Sequence, residues 1–190
     1  MGLKKIAVIL LVIFLANVAF GYTTMVIHER EMKKLKAETI VMKEMLMEVE
    51  EVRAQYYHPE LELSKRLQFH TYIVCKRYKI DYELVLAVMM TESGFDIRAV
   101  NDNGDTVDRG LMQINSVNMD RFYELGYTDI FDPYQNIEYG IRILADRKNH
   151  FDDIHAIVGS YNMGVRGYRE YDSKKTNYSI KVVSNIKKVK

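Results

Sequence analysis

The stretch AVMMTESGFD, residues 87–96, sets one carboxylate, Glu92, at the tip of an apolar run and then breaks the chain at Ser93-Gly94. Glu92 follows Val85 by seven residues and Val88 by four, so a helix places all three on one face. Asp81 stands where it caps that helix over 82–91, with Glu83 in the first turn, where the helix dipole favours an anion. Gly94 can take the left-handed conformation that ends it. Val85 and Val88 must face a core, so Glu92 projects from an apolar stripe. Partial loss of hydration disfavours the charged carboxylate and raises its pKa. A carboxyl group that keeps its proton near neutral pH is a general acid of the kind that protonates a glycosidic oxygen. The competing reading is an ordinary helix end carrying a solvated Glu, and this stretch alone leaves both open.

The surrounding sequence reads as further helices. Apolar residues recur at helical spacing over 67–78, and a short helix over 118–125 closes at Gly126. In "DPYQN" Asp132 caps the next helix and Pro133 takes its first position, where the missing N–H costs nothing. That helix carries Ile137, Ile141 and Leu144 on one face, and 154–161 and 179–189 complete the set. No long strand pattern is present, although "NDNGDTVDRG" can hold a short hairpin at Asn103-Gly104. The expectation is an all-α domain with one small hairpin, large enough to bury its own core.

Before this domain the chain changes character. No charged residue occurs over 6–27, a run long enough as a helix to cross the roughly 30 Å hydrocarbon core of a bilayer. The run suits an uncleaved signal anchor over 1–28; the alternative is a signal peptide cut near Ala19-Phe20-Gly21. Lys4 and Lys5 favour a cytoplasmic N-terminus, while Arg30, Lys33, Lys34 and Lys36 put more basic charge on the other side. Next, Met32, Leu35, Met42, Leu46, Val49 and Tyr56 step by threes and fours, with Thr39 and Arg53 in the remaining slots. This is a heptad stalk over 29–58, either alone or paired in a homodimer, closed by His58-Pro59. The domain itself occupies 59–190.

Composition removes other classes. A formal net charge of +1 gives a nucleic-acid partner no electrostatic support. The five histidines, at 28, 58, 70, 150 and 155, fall in no metal-ligand spacing, so neither a metal nor another cofactor is expected. Cys75 is the sole cysteine, which excludes an internal disulfide, and its apolar neighbours Tyr72, Ile73 and Val74 suit a buried thiol.

Four segments carry a resemblance. "TESGFD", "DRGLMQIN" (108–115), "FDPYQNIEYG" (131–140) and "GSYNMG" (159–164) resemble, in order and spacing, the motifs of lytic transglycosylases with a lysozyme-like catalytic domain, similar to the soluble lytic transglycosylase and goose-type lysozyme. The form "NGDTVDRGLMQIN" looks closest to small transglycosylases that accompany secretion, conjugation and pilus systems, which implies an envelope-spanning machine as a partner. The resemblance implies that Glu92 is the single catalytic acid/base and Ser93 its supporting serine. It implies that Gly110, Leu111, Met112 and Gln113 line the cleft, with Gln113 bonding the sugar. Asn136 and Ile137 match a pair that is more structural than catalytic. Tyr161 and Asn162 match a pair whose tyrosine reaches toward the catalytic carboxylate, with Ser160 where the family usually has Ala. Near the C-terminus Thr176 and Tyr178 match a Thr and Tyr of the family loosely, one residue too close together.

The implied substrate is peptidoglycan, cut between N-acetylmuramic acid and N-acetylglucosamine with closure of a 1,6-anhydro ring. Two alternatives stand beside it. A hydrolase like goose-type lysozyme would need a second acid, for which Asp96, Asp102, Asp105 and Asp108 are in the right neighbourhood, Asp108 first among them. A non-catalytic glycan-binding scaffold would have no physical need of a desolvated acid. Peptidoglycan lies outside the cytoplasmic membrane, so the domain is expected there, membrane-anchored or secreted.

Overall fold

The computed structural model describes residues 2–171 and 174–189 and divides into two compact units, Met1–Gln55 and Tyr56–Lys190. The first unit is one helix, α1 (Leu3–Ala54). Over its N-terminal part it is apolar all round, and its described side chains there are exposed, among them Leu11, Phe14, Leu15 and Val18. By length and composition it can cross a membrane. The side chains of Lys4, Lys5 and Ile6 lie outside those described. In its C-terminal half the heptad positions Leu35, Met42, Leu46 and Val49 are exposed as well. Tyr56, the last apolar position of the heptad reading, is a correction. The helix ends at Ala54, and Tyr56 is buried in the second unit against Phe69 and Tyr72.

The second unit is mainly helical. In chain order it contains α2 (Lys65–Tyr78), α3 (Tyr82–Glu92), β1 (Val100–Asp102), β2 (Val107–Arg109), β3 (Ile114–Asn115), a 3-10 turn (Ser116–Asn118), α4 (Met119–Glu124), α5 (Pro133–Lys148), α6 (Ile154–Glu170) and α7 (Asn177–Ile186). Side-chain caps start most of the long helices: Ser64, Asp81, Asp132, Asp153 and Thr176 each accept a backbone N–H two or three residues into the helix that follows. Buried Gln68 fastens the segment before α2, accepting from His58 N and donating to the carbonyls of His58 and Leu63.

α3 is the centre. Val85, Leu86, Ala87, Val88 and Met89 have no exposure at all. The sequence reading gave this helix one apolar stripe, but its neighbours close around it on all sides, as suits a helix without a polar face. α2 and α7 pack against it, α5 against α2, and α6 against both α5 and α7. Cys75 is buried in this core, and burial pushes its thiol pKa up.

Two elements go beyond the sequence reading. The hairpin at Asn103-Gly104 extends into a three-stranded antiparallel sheet of order β1-β2-β3, with Asn101 opposite Asp108 and Asp108 opposite Asn115. β3 is too short for its alternation to register as a strand. α6 runs on past Tyr161 to Glu170, broken at Gly164, whose φ of 77° and ψ of 160° are not helical.

Candidate active site

Glu92 occupies the last turn of α3. Gly94 follows in the left-handed conformation, at φ 60°, and turns the chain away so that the carboxylate lies at the edge of a cleft of about 620 Å³. One wall of the cleft is the sheet, through Asn103, Thr106, Asp108 and Asn115. The other wall is the broken part of α6, Tyr161 to Gly164, and Ile143 and Arg147 of α5 complete it.

The carboxyl group is pushed up to about 7, from the ordinary 4.5 of a glutamate. Burial is the main cause, and the negative charge of Asp108 adds to it. A hydrogen bond from the Tyr178 hydroxyl to Glu92 Oε1, 2.6 Å long, opposes the shift, as does Lys181. Lys181 also reaches the carbonyl of Thr91, and Asn185 Nδ2 donates to Thr91 Oγ1 at 3.0 Å, so α7 holds the end of α3 at two further points.

Tyr178 is the residue that the sequence reading undervalued, while Tyr161 lines the same cleft as Glu92. The phenol bonded to Glu92 is Tyr178; the Tyr161 hydroxyl donates instead to the carbonyl of Met112 at 2.7 Å. Burial raises the pKa of both phenols, and the charge of Glu92 raises it further, so both keep their protons. The signal for Tyr178 was present in Thr176. That threonine caps α7, which puts Tyr178 in the first turn, facing the end of α3.

The loop from Gly110 to Gln113 is built by Asn136. This fully buried side chain accepts from Met112 N at 2.8 Å and donates to the carbonyls of Arg109 and Ile130, each at 3.0 Å. Gly110 has φ 77°, and a Cβ there would stand 2.8 Å from Asn136 Cγ, so both backbone angle and space demand glycine. Leu111 and Met112 are wholly buried and fill the core; their backbone borders the site while their side chains stay out of the cleft lining. Gln113 lines the cleft with its amide donating to the carbonyls of Ala99 and Gly110. Ser93 does not touch the carboxylate. Its hydroxyl donates to the carbonyls of Met89 and Leu111, which ties α3 to the loop. Asn162 is exposed on the cleft wall, and Ser160 is buried with its hydroxyl on the carbonyl of Ile157.

Of the four aspartates raised as second acids, Asp108 alone lines the cleft. Its Oδ1 accepts from Asn115 at 2.7 Å and its Oδ2 from Asn103 at 2.8 Å. Both its oxygens are thus held by amide donors, and its charge adds to the upward shift of Glu92. The arrangement therefore sets Glu92 and Asp108 in one groove.

Comparison with known proteins supplies the family. The transglycosylase SLT domain matches residues 73–184. The invasion protein IagB of Salmonella typhimurium is 33% identical over 119 residues, covering 60% of this chain and 73% of that protein. The membrane-bound lytic murein transglycosylase F of Desulfosudis oleivorans is 36% identical over 101 residues, 50% of this chain and 21% of that protein. A solved structure of an inactive mutant of the lytic transglycosylase Slt from Pseudomonas aeruginosa superposes with a TM-score of 0.47 at 17% identity, over 64% of this chain and 22% of that one. The chain belongs to the transglycosylase SLT domain family, and its class of enzyme is lytic transglycosylase.

Proposed function

We propose that this protein is tethered to the cytoplasmic membrane by α1 and cleaves peptidoglycan outside it, between N-acetylmuramic acid and N-acetylglucosamine, with Glu92 as sole acid and base. The observation that carries the reading is the state of Glu92. Its carboxyl group, raised to about 7 by burial, lies in an open cleft and is oriented by Tyr178. A general acid works best with a pKa near the working pH.

In the first step Glu92 gives its proton to the bridging oxygen as the bond from that oxygen to the muramic anomeric carbon breaks. The substrate's own acetamido group stabilises the positive charge that develops. The Glu92 carboxylate then takes the proton from the muramic 6-hydroxyl, whose oxygen bonds to the anomeric carbon. The proton lost in the first step is recovered in the second, so no water is consumed and one carboxyl group serves both. Tyr178 suits both steps, since its hydrogen bond holds the carboxylate in place and strengthens when the charge appears.

A hydrolytic reading has one observation in its favour, the Asp108 carboxyl group on the facing wall, which can position water. Product mass separates the two. Digests of purified peptidoglycan are expected to contain muropeptides ending in 1,6-anhydromuramic acid, each lighter by one water than its hydrolytic counterpart. Reducing-end muramic products alone would replace the proposal with a lysozyme.

The membrane part rests on the uncharged, exposed run of α1. In this proposal the N-terminus is inside and the C-terminal unit on the side of the substrate, because peptidoglycan lies outside the cytoplasmic membrane. A partner machine in the envelope is proposed on the likeness of "NGDTVDRGLMQIN" to transglycosylases that serve such machines.

A further inference from the structure

The C-terminal half of α1 carries an apolar stripe that its own unit leaves uncovered, with Ile40, Val41 and Met47 exposed on its other faces. Leu35, Met42, Leu46 and Val49 are 59%, 59%, 57% and 60% exposed. With Met32, Thr39 and Arg53 they keep strict alternating steps of three and four. A straight α-helix drifts about 20° per heptad against that repeat, so a sequence that holds it fits a left-handed supercoil with another helix.

The charges beside the stripe identify that helix. With Met32, Thr39, Leu46 and Arg53 at a, and Leu35, Met42 and Val49 at d, the g positions hold Glu31, Glu38, Met45 and Val52, and the e positions Lys36, Lys43 and Glu50. In a parallel pair in register, each g position meets the e position five residues later on the other helix. Glu31 then faces a second copy's Lys36, and Glu38 a second copy's Lys43. An antiparallel pair sets g against g and e against e, which opposes Glu to Glu and Lys to Lys. We infer that residues 29–54 form a parallel, in-register two-stranded coiled coil with a second copy of this chain.

Other contacts fit. Lys34 stands 3.9 Å from Glu38 within the helix, an exposed pair of little energy that leaves Glu38 able to turn to the partner. Thr39 at a lowers stability but fixes register, since a polar a position is best placed against its own copy. The seam is short, about 39 Å. Membrane tethering compensates by raising local concentration and by setting both chains in one direction. That compensation rests on the anchoring proposed above; the charge pattern does not.

The test uses the full chain in membranes and in nanodiscs. Single substitutions Met42→Cys and Leu46→Cys place a thiol in the seam, and Glu44→Cys places one on the outer face. Oxidation is expected to give disulfide-linked dimers from the first two and monomers from the third, with buried Cys75 silent. Combining E31K with E38K is expected to abolish the Met42→Cys dimer, and adding K36E and K43E to restore it. Equal cross-linking at all three positions, survival of the dimer after the Glu reversals, or a monomer mass in nanodiscs would each overturn the coiled coil. Alkaline carbonate extraction reads the anchor separately. A protein that stays in the membrane as a monomer keeps the anchor and loses the coiled coil. One that is extracted yet cross-links in the seam does the reverse.

Discussion

Helices α1 and α3 are made of the same kinds of apolar residue and use them in opposite ways. In α3, Val85 to Met89 are sealed by the rest of the C-terminal unit. In α1, Leu11, Phe14, Leu15 and Val18 are more than half exposed, and so is the seam from Leu35 to Val49. Burial in α3 is completed within the chain and passed on to its last residue, where it becomes a raised pKa on Glu92. Among its described residues α1 buries nothing within its own unit; by our proposals lipid covers it at one end and a second copy at the other. A hydrophobic helix announces itself in the sequence; what solvates it depends on what is within reach.

The contrast can be broken first at α1. Leu11→Arg combined with Leu15→Arg puts two charges into the run and should cost about 6 kcal/mol of insertion. Carbonate extraction should then release the protein, while the catalytic rate on soluble glycan fragments stays as in the parent chain. Retention in the membrane would show that lipid does not cover this face.

At α3 the largest effect is on chemistry. Glu92→Gln keeps the shape and removes the proton, so turnover of peptidoglycan should fall by about 10²–10⁴-fold, with an unchanged circular dichroism spectrum. Wild-type clearing of cell walls by this variant would end the assignment of Glu92.

The same substitution sharpens the comparison through stability. Between the ordinary 4.5 and about 7, the folded protein holds a proton on Glu92 that the unfolded chain gives up. Stability from this group is therefore present at low pH, falls as pH rises through that window, and is gone above it. At pH 8 Glu92→Gln should be more stable than the parent by about 3 kcal/mol, and at pH 4 the two should melt together. An equal difference in Tm at both pH values would mean that α3 does not desolvate its terminal carboxylate.

The smallest effect belongs to Tyr178→Phe. Loss of the 2.6 Å bond removes a stabiliser of the carboxylate, so the Glu92 pKa should rise and the alkaline limb of kcat/KM move to higher pH. The rate at pH 7 should fall about tenfold. Tyr161→Phe breaks a bond to a backbone carbonyl instead and should leave the position of that limb unchanged.

Much of this was legible in the chain because it depends on local pattern. Caps at Asp81 and Asp132, the helix break at Gly94 and the uncharged run of α1 each follow from a few neighbouring residues. Asn136 was legible as structural, although its three bonds were not. What stayed hidden depends on distant contacts. β3 has two residues and exists only because β2 pairs with it. The choice between Tyr161 and Tyr178 turns on how α6 and α7 approach α3, and no spacing encodes that.

By itself, then, the sequence determined an uncharged helix, a heptad, a helical domain and one carboxylate at the end of its most apolar helix. Periodicity and capping act within a few residues of chain, so those features needed no tertiary contact. The fold decided which phenol holds Glu92, which aspartate faces it and that α3 is enclosed on every side. Each of those is fixed by groups far apart in sequence, brought together only when the helices close around a common core.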